Sequence, residues 1–269
     1  MHKIINKKEI NILTGGYKPK NSKFPTLIMI HGAGMNGTVW QMQTRYLANK
    51  GINVLSIDLP GHGSSLGEAM DSIEKMSLWL IKFMDEINIK SAIIAGHSMG
   101  SLVALETANK DKKRVKGILL LGSSSSMPVH PDLIEAAKNN LPLAAEMITD
   151  WSFGKNQHIG GHPLPGYWMI DSSIHLIAES FPGILAKDLI ACNEYKSGLI
   201  TIENLEQEIL LISGIEDKMT PLKKAKELCN SNKKAKISIL NNCGHMMMIE
   251  KPREVTKLIY NFNKQFIKE

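Results

Sequence analysis

The stretch Ala92-Ile93-Ile94-Ala95-Gly96-His97-Ser98-Met99-Gly100 restricts this chain more than any other. Ala92 to Ala95 is a short, uninterrupted apolar run, the pattern of a strand buried on both faces. A helical run starts at Met99. One abrupt turn, Gly96-x-Ser98-x-Gly100, joins the two. A chain that reverses so sharply holds its turn residue in strained backbone geometry. Side chains two positions before and after Ser98 would collide, and the two glycines remove them. Ser98 is therefore expected to stand proud of a sheet with its hydroxyl exposed. The start of the following helix aims N–H groups and a partial positive charge at the same point. A serine that attacks a carbonyl needs both. The pentapeptide alone also describes a glycine-rich turn with a bystander serine, so the rest of the chain decides.

Short apolar runs recur at Thr26 to Ile30, Asn53 to Ile57, Lys116 to Leu121, Glu208 to Ser213 and Ala235 to Leu240. Helical periodicity falls between them. One helix is expected from Val39 to Lys50, stopped by Gly51, and another from Asp71 or Ser72 to Ile87. A third is expected after Thr220 as cap with Pro221 in its first turn, and a fourth opens at Pro252. Residues 3 to 13 alternate weakly, as an edge hairpin around Asn6 to Lys8. Lys18 to Lys23 reads as a polar loop. Strands alternating with helices predict an α/β fold: a doubly wound, mostly parallel sheet covered on both sides. The alternation stops from Ser123 to Ser197, where helical segments and turns carry Trp151, Phe153, Tyr167, Trp168 and Phe181. Prolines punctuate this segment, Pro163 and Pro165 among them. It reads as a helical insertion (123–197) in a core formed by 1–122 and 198–269.

In open α/β sheets the reacting groups gather at the carboxyl ends of the strands. Those ends carry His31-Gly32-Ala33-Gly34, then Ser98, then Glu216-Asp217, then Gly244-His245. A serine hydroxyl needs a base in reach, and the base needs a carboxylate to fix its tautomer. His245 is the candidate base. Asp217 is the preferred acid, because a residue just ahead of the Met219-Thr220-Pro221 helix start can turn inward; Glu216 is its rival. The strand end at Gly122 is followed by four serines and offers no acid. A developing oxyanion needs two N–H donors. Met99 N–H at the helix start is one. Ala33 N–H is preferred as the other, with Gly34 second. Gly32 and Gly34 let backbone approach a substrate closely.

The remaining histidines read more plainly. His62 sits in a Gly/Pro turn and orders its loop. By strand alternation His97 points away from Ser98. His130, His158 and His162 lie in the insertion with no metal-ligand spacing. The balance of 32 basic and 26 acidic residues is mild, and the lysines from Lys223 to Lys236 lack interleaved aromatics, so no nucleic-acid partner is expected. Three cysteines, Cys192, Cys229 and Cys243, suit free thiols in a reducing compartment. No signal-peptide core and no membrane span is seen, so a cytoplasmic location is expected.

Taken in order, His31-Gly32-Ala33-Gly34, Asp58-x-Pro60-Gly61-His62-Gly63-Ser64-Ser65, Gly96-His97-Ser98-Met99-Gly100, the Asp217 loop and Gly244-His245 resemble the α/β-hydrolase fold superfamily. The match is to its capped, single-domain, bacterial esterase-like members. The resemblance implies that 123–197 is a cap over the site. It also implies a serine hydrolase acting on an ester of an apolar carboxylic acid through Ser98, Asp217 and His245, with Ala33 and Met99 at the oxyanion. No cofactor or metal is expected. Trp151, Trp168 and Met246 join Gly32 and Gly34 as candidate substrate contacts, and the protein is expected as monomer or homodimer. The same three residues could instead cleave a carbon–carbon bond, a thioester or a lactone, or make peracids. A binding protein that kept the fold and lost catalysis is the distant alternative.

Overall fold

The computed structural model describes residues 1–16, 22–162 and 166–267. Most of the loop expected from Lys18, and both Pro163 and Pro165, lie outside the described residues. One eight-stranded sheet organises the chain: β1 (His2–Ile5), β2 (Lys8–Leu13), β3 (Thr26–Ile30), β4 (Val54–Ile57), β5 (Ala92–His97), β6 (Val115–Leu121), β7 (Glu208–Gly214) and β8 (Ala235–Leu240). Their order is β1-β2-β4-β3-β5-β6-β7-β8. The β1–β2 and β2–β4 pairs are antiparallel, and every other pair is parallel. The N-terminal hairpin forms the edge that the weak alternation predicts.

The helices lie on both faces. α1 (Gln41–Asn49), α2 (Ile73–Glu86) and α3 (Met99–Lys110) follow β3, β4 and β5. Between β6 and β7 come α4 (Pro131–Asn139), α5 (Leu141–Ser152), α6 (Lys155–His158), α7 (Met169–Ala178), α8 (Ile184–Glu194) and α9 (Gly198–Glu203). α10 (Leu222–Asn230) follows β7, and α11 (Met247–Glu250) and α12 (Pro252–Lys264) follow β8. None of these is long and apolar enough to cross a membrane among the described residues.

Alternate residues of the central strands feed two cores, as the pleat requires. Ile28, Ile30 and Ile94 pack with Met76, Leu80 and Phe83 of α2 and with Leu102 and Leu105 of α3. Leu27, Met29, Ile93 and Ala95 pack on the other side with Leu47 of α1 and Ile259 of α12. The same core continues upward into the 123–197 segment through Leu133, Ile148, Leu185 and Leu189. There α4 packs on α5 and α8, and α5 on α7. No strand occurs between β6 and β7 among the described residues. α9 packs instead against α3 and α10.

Two expected helix starts shift. The helix expected from Val39 begins as a 3-10 turn, Gly37–Trp40, in which Thr38 N–H and the Thr38 hydroxyl both donate to Asn36 Oδ1, and becomes α-helical at Gln41. Pro221 rather than Thr220 is the N-cap of α10. Thr220 is recruited elsewhere: its N–H and its hydroxyl both donate to Asp217.

The turn between β5 and α3 is the tightest point of the sheet. Ser98 has φ +52° and ψ −119°, a strained conformation for a residue with a side chain. A Cβ on Gly96 would lie 1.9 Å from Gly100 O, and one on Gly100 would lie 2.5 Å from Ile30 O. Both obstacles are backbone. Gly96→Ala is therefore expected to destabilise the protein by about 3 kcal/mol or more, because only moving α3 off β5 relieves the clash. Denaturant unfolding of the purified variant checks this; an unchanged midpoint would contradict it.

Candidate active site

Ser98 is half-buried at the start of α3. Its N–H donates to Leu121 O at 2.9 Å, and its carbonyl accepts the Ser101 hydroxyl at 2.6 Å. The elbow is thus tied both to β6 and to its own helix. His245 sits four residues past Asn241, in the loop after β8. Its N–H donates to Ser152 O, which ties that loop to the end of α5.

Asp217 and His245 meet across β7 and β8. His245 Nδ1 lies 2.9 Å from Asp217 Oδ2, with the two side chains 2% and 0% exposed. Asp217 Oδ2 also accepts the Thr220 hydroxyl at 2.8 Å. Asp217 Oδ1 accepts Met219 N–H at 2.9 Å and Thr220 N–H at 2.8 Å. Burial pushes the Asp217 carboxyl up, but His245 and the Thr220 donors outweigh it and hold the group below the usual carboxylate range. Glu216 turns away: its Oε2 accepts Lys155 N–H at 2.8 Å. With Nδ1 donating to the carboxylate, the other ring nitrogen, Nε2, is left bare. It is buried and has no partner among the described residues.

His97 does not point away from Ser98 as expected: both line one cavity. The strand pleat ends at the Ser98 turn, so alternation does not carry across it. His97 packs against the His245 ring, tilted at 53° with 4.7 Å between centroids, and its Nε2 lies 3.0 Å from His245 O. A carbonyl only accepts, so Nε2 carries the proton and Nδ1 is bare. Burial, reinforced by the neighbouring His245, holds His97 well below the usual imidazole value.

Ser98 and the His245 ring face a cavity of about 380 Å³. Gly32, Ala33 and His97 complete its floor. Its walls are mainly apolar: Met127, Val129, Leu133, Ile148, Trp151 and Leu189, with Cys192 and His130. Trp151 is therefore at the cavity. Trp168 is not; it is 69% exposed and borders a separate surface depression with Tyr167 and His175. Met246 is fully buried in the sheet core and does not line the cavity. The Met99 side chain is likewise core, and Met99 does not line the cavity. Met35, Met127 and Met219 supply the thioethers at the wall instead. No periodicity marks them, since they come from three loops.

The two N–H candidates near Ser98 differ in a decisive way. Gly34 N–H is already taken, donating to Asp188 Oδ2 at 2.8 Å. Ala33 N–H and Met99 N–H meet no acceptor among the described residues. Gly34, with φ +66°, turns the chain away, and it does not line the cavity as Gly32 does. His62 orders its loop as expected, through Pro60 O at 3.1 Å, and also reaches Asp188 at 2.8 Å, a contact that local sequence does not announce.

A second carboxylate lies behind His245. Glu250, fully buried, accepts Gly244 N–H through both oxygens at 3.0 Å and Gly154 N–H at 3.0 Å. Burial raises its pKa to about 7 despite those donors. His31, buried against His62, falls to about 3. These shifts predict a pH dependence of stability. Between pH 5 and 6, His31 and His97 are neutral when folded and protonated when unfolded, so each takes up a proton on unfolding. Stability falls as pH drops below the unfolded value of 6.5. Glu250 opposes them: it holds a proton when folded and releases it on unfolding, so its contribution is lost as pH rises toward 7. With two histidines against one glutamate, protons are taken up on unfolding and stability falls from pH 6 to 5. Glu250→Gln removes the opposing group and steepens that slope. Urea unfolding at pH 5.0, 5.5 and 6.0 measures both slopes, and a flat wild-type profile would refute the assignment.

A model of the alpha/beta hydrolase family matches residues 27–258. The chain is 25% identical over 252 residues to a pimeloyl-[acyl-carrier protein] methyl ester esterase of Aromatoleum aromaticum, covering 87% of this chain and 96% of that one. It is 28% identical over 249 residues to a 2-hydroxymuconate semialdehyde hydrolase of Pseudomonas sp. (strain CF600), covering 89% and 86%. A thermophilic esterase from Thermogutta terrifontis, solved with malate bound, superposes with a TM-score of 0.85 over 100% of this chain and 99% of that one. At 18% identity that last likeness is one of fold alone.

Proposed function

The chain belongs to the alpha/beta hydrolase family, and from that premise we propose that it cleaves an ester of an apolar carboxylic acid through a Ser98 acyl-enzyme. One observation carries this reading. His245 has Nδ1 committed to Asp217 and a bare Nε2, and it shares a cavity wall with Ser98 and the unengaged Ala33 N–H. Ser98 Oγ adds to the ester carbonyl and its proton passes to His245 Nε2. Ala33 and Met99 N–H receive the oxyanion. Collapse expels the alcohol, which takes the proton from Nε2. A water, deprotonated by the same nitrogen, then adds to the acyl-enzyme and releases the acid and Ser98. Asp217 keeps the imidazole in the accepting tautomer and balances its transient charge.

The helices α4 to α8 act in this reading as a cap, and the cavity's apolar wall receives the acyl group. A fluorophosphonate probe, which phosphonylates an activated serine, should label wild type at Ser98. A panel of esters, thioesters and lactones of graded acyl length then identifies the bond cleaved. Absence of labelling and of turnover would dismiss the reading.

The cap tryptophans separate cleanly under the same assay. Trp151→Ala is expected to lower kcat/KM for a long acyl ester about 10–100-fold and to change an acetyl ester little, since remote binding energy positions the reacting carbonyl. Trp168→Ala, at an exposed site, should change neither by more than about 2-fold. Kinetics on both esters, with a melting curve for each variant, decide. A uniform loss at Trp151 with a lower Tm would make that ring structural.

A further inference from the structure

Behind the cavity floor lies a buried polar cluster that the proposed chemistry does not use. Asp188, on α8, is 0% exposed. Its Oδ2 accepts Gly34 N–H at 2.8 Å and lies 2.8 Å from His62 Nε2, while its Oδ1 has no partner among the described residues. A carboxylate is costly to bury and persists only where donors and a countercharge meet it. His62 supplies the charge. Its Nδ1 faces Pro60 O and its Nε2 faces the carboxylate, both acceptors, so both ring nitrogens carry protons. Although burial opposes a charged imidazole, Asp188 outweighs it and raises the His62 pKa. Next to it, 4.8 Å away, the His31 ring stays neutral: Nε2 accepts Leu59 N–H at 3.1 Å, and Nδ1 donates to Gly32 O at 2.8 Å.

These bonds converge on one short segment. Gly32 O is held by His31 and by Met35 N–H at 3.3 Å, and Gly34 N–H is held by Asp188. The peptide groups on either side of Ala33 are therefore both anchored away from the cavity, and the Ala33 N–H is the donor left over. The seat is tight as well as polar: a Cβ on Gly34 would meet Leu185 Cδ1, one turn before Asp188 on α8, at 2.7 Å.

We propose that Asp188 is a positioning residue for the oxyanion-binding loop, holding the Gly34 amide so that the Ala33 amide faces the carbonyl oxygen attacked by Ser98. The anchor comes from the 123–197 segment, so the helices over the cavity also set the geometry of its floor. Leu189 and Cys192 on the same helix line the acyl wall. The proposal rests on the serine-hydrolase reading given above.

The test compares a ligand that becomes an oxyanion with one that does not. A short-chain trifluoromethyl ketone takes the Ser98 oxygen on its carbonyl carbon, passes the serine proton to His245 and leaves a tetrahedral oxyanion. The matching N-methyl amide fills the same cavity without that bond. Asp188→Ala removes the acceptor and should lower kcat on a short ester about 10–100-fold, with KM changed less than about 2-fold. Ki for the ketone should rise by the same factor as kcat falls, and Ki for the amide should hold. Asp188→Asn keeps a carbonyl acceptor for Gly34 and loses the charge. It should lose about 3–10-fold in both kcat and ketone affinity, and it carries the test if the alanine variant does not fold. Variants that lower Tm yet keep kcat and ketone Ki within about 2-fold of wild type would make Asp188 a structural staple and overturn the proposal. If wild type itself neither turns over esters nor binds the ketone, the hydrolase reading falls and this proposal falls with it.

Discussion

Ser98→Ala should abolish ester hydrolysis, with kcat falling about 10^4- to 10^6-fold, and should leave Tm within about 2 °C of wild type. The two halves have separate causes. In the proposed mechanism the hydroxyl is the attacking group, and no neighbouring residue can replace it: Ser101 is engaged with Ser98 O and with Ser123. The fold, by contrast, gains nothing from the hydroxyl. What the elbow needs from this position is a backbone able to sit at φ +52°, and alanine is no worse there than serine. His245→Ala should cost a similar factor, and the double variant little more than either one, because nucleophile and base act as a unit. Single-turnover rates on an activated ester, with circular dichroism melts, measure both halves. Ser98→Ala activity within about 10-fold of wild type would end the mechanism.

The second large effect is expected at Asp217, and the structure dictates its direction. In Asp217→Asn the side-chain amide has two ways to lie. Met219 N–H and Thr220 N–H both donate to the Oδ1 position, so the amide oxygen stays there and the NH2 group takes the place of Oδ2. That NH2 faces His245 Nδ1. The imidazole then accepts at Nδ1 and carries its proton on Nε2, where it cannot take one from Ser98. A loss of about 10^4-fold in kcat is expected from the wrong tautomer, with the fold preserved. Glu216→Gln should change kcat less than about 3-fold, since its carbonyl oxygen can still accept Lys155 N–H. Measured on folded variants, a larger loss at Glu216 than at Asp217 would reverse the assignment.

The effects differ in kind across the site. Ser98, Asp217 and His245 concern the reacting protons, Trp151 concerns the length of chain the cavity prefers, and Asp188 concerns the aim of one amide. Each therefore has its own kinetic signature: kcat for all substrates, selectivity between substrates, or affinity for an oxyanion.

The sheet, the elbow and the order of Ser98, Asp217 and His245 were legible because each rests on local rules. A strand buried on both faces must be apolar throughout, a strand-to-helix reversal must have glycines where Gly96 and Gly100 stand, and strand ends collect polar residues. These are properties of a few consecutive residues, so sequence alone determined them. Sequence alone preferred Ala33 N–H to Gly34 N–H as the proposed second donor but gave no reason that excludes Gly34; Asp188, 154 residues away, takes the Gly34 amide. Nor could it sort Trp151 from Trp168, or Met246 from Met127. All four sit in helical or loop segments of similar composition, and which side faces the cavity is set by how the helices of the insertion lie on the sheet. The role of Glu250 and the reach of His62 to Asp188 were unreadable for the same reason. A buried charge declares its role only through its partners, and these partners, the Gly154 N–H that Glu250 accepts and the Asp188 carboxylate that accepts from His62, come from a segment whose placement is decided by tertiary packing.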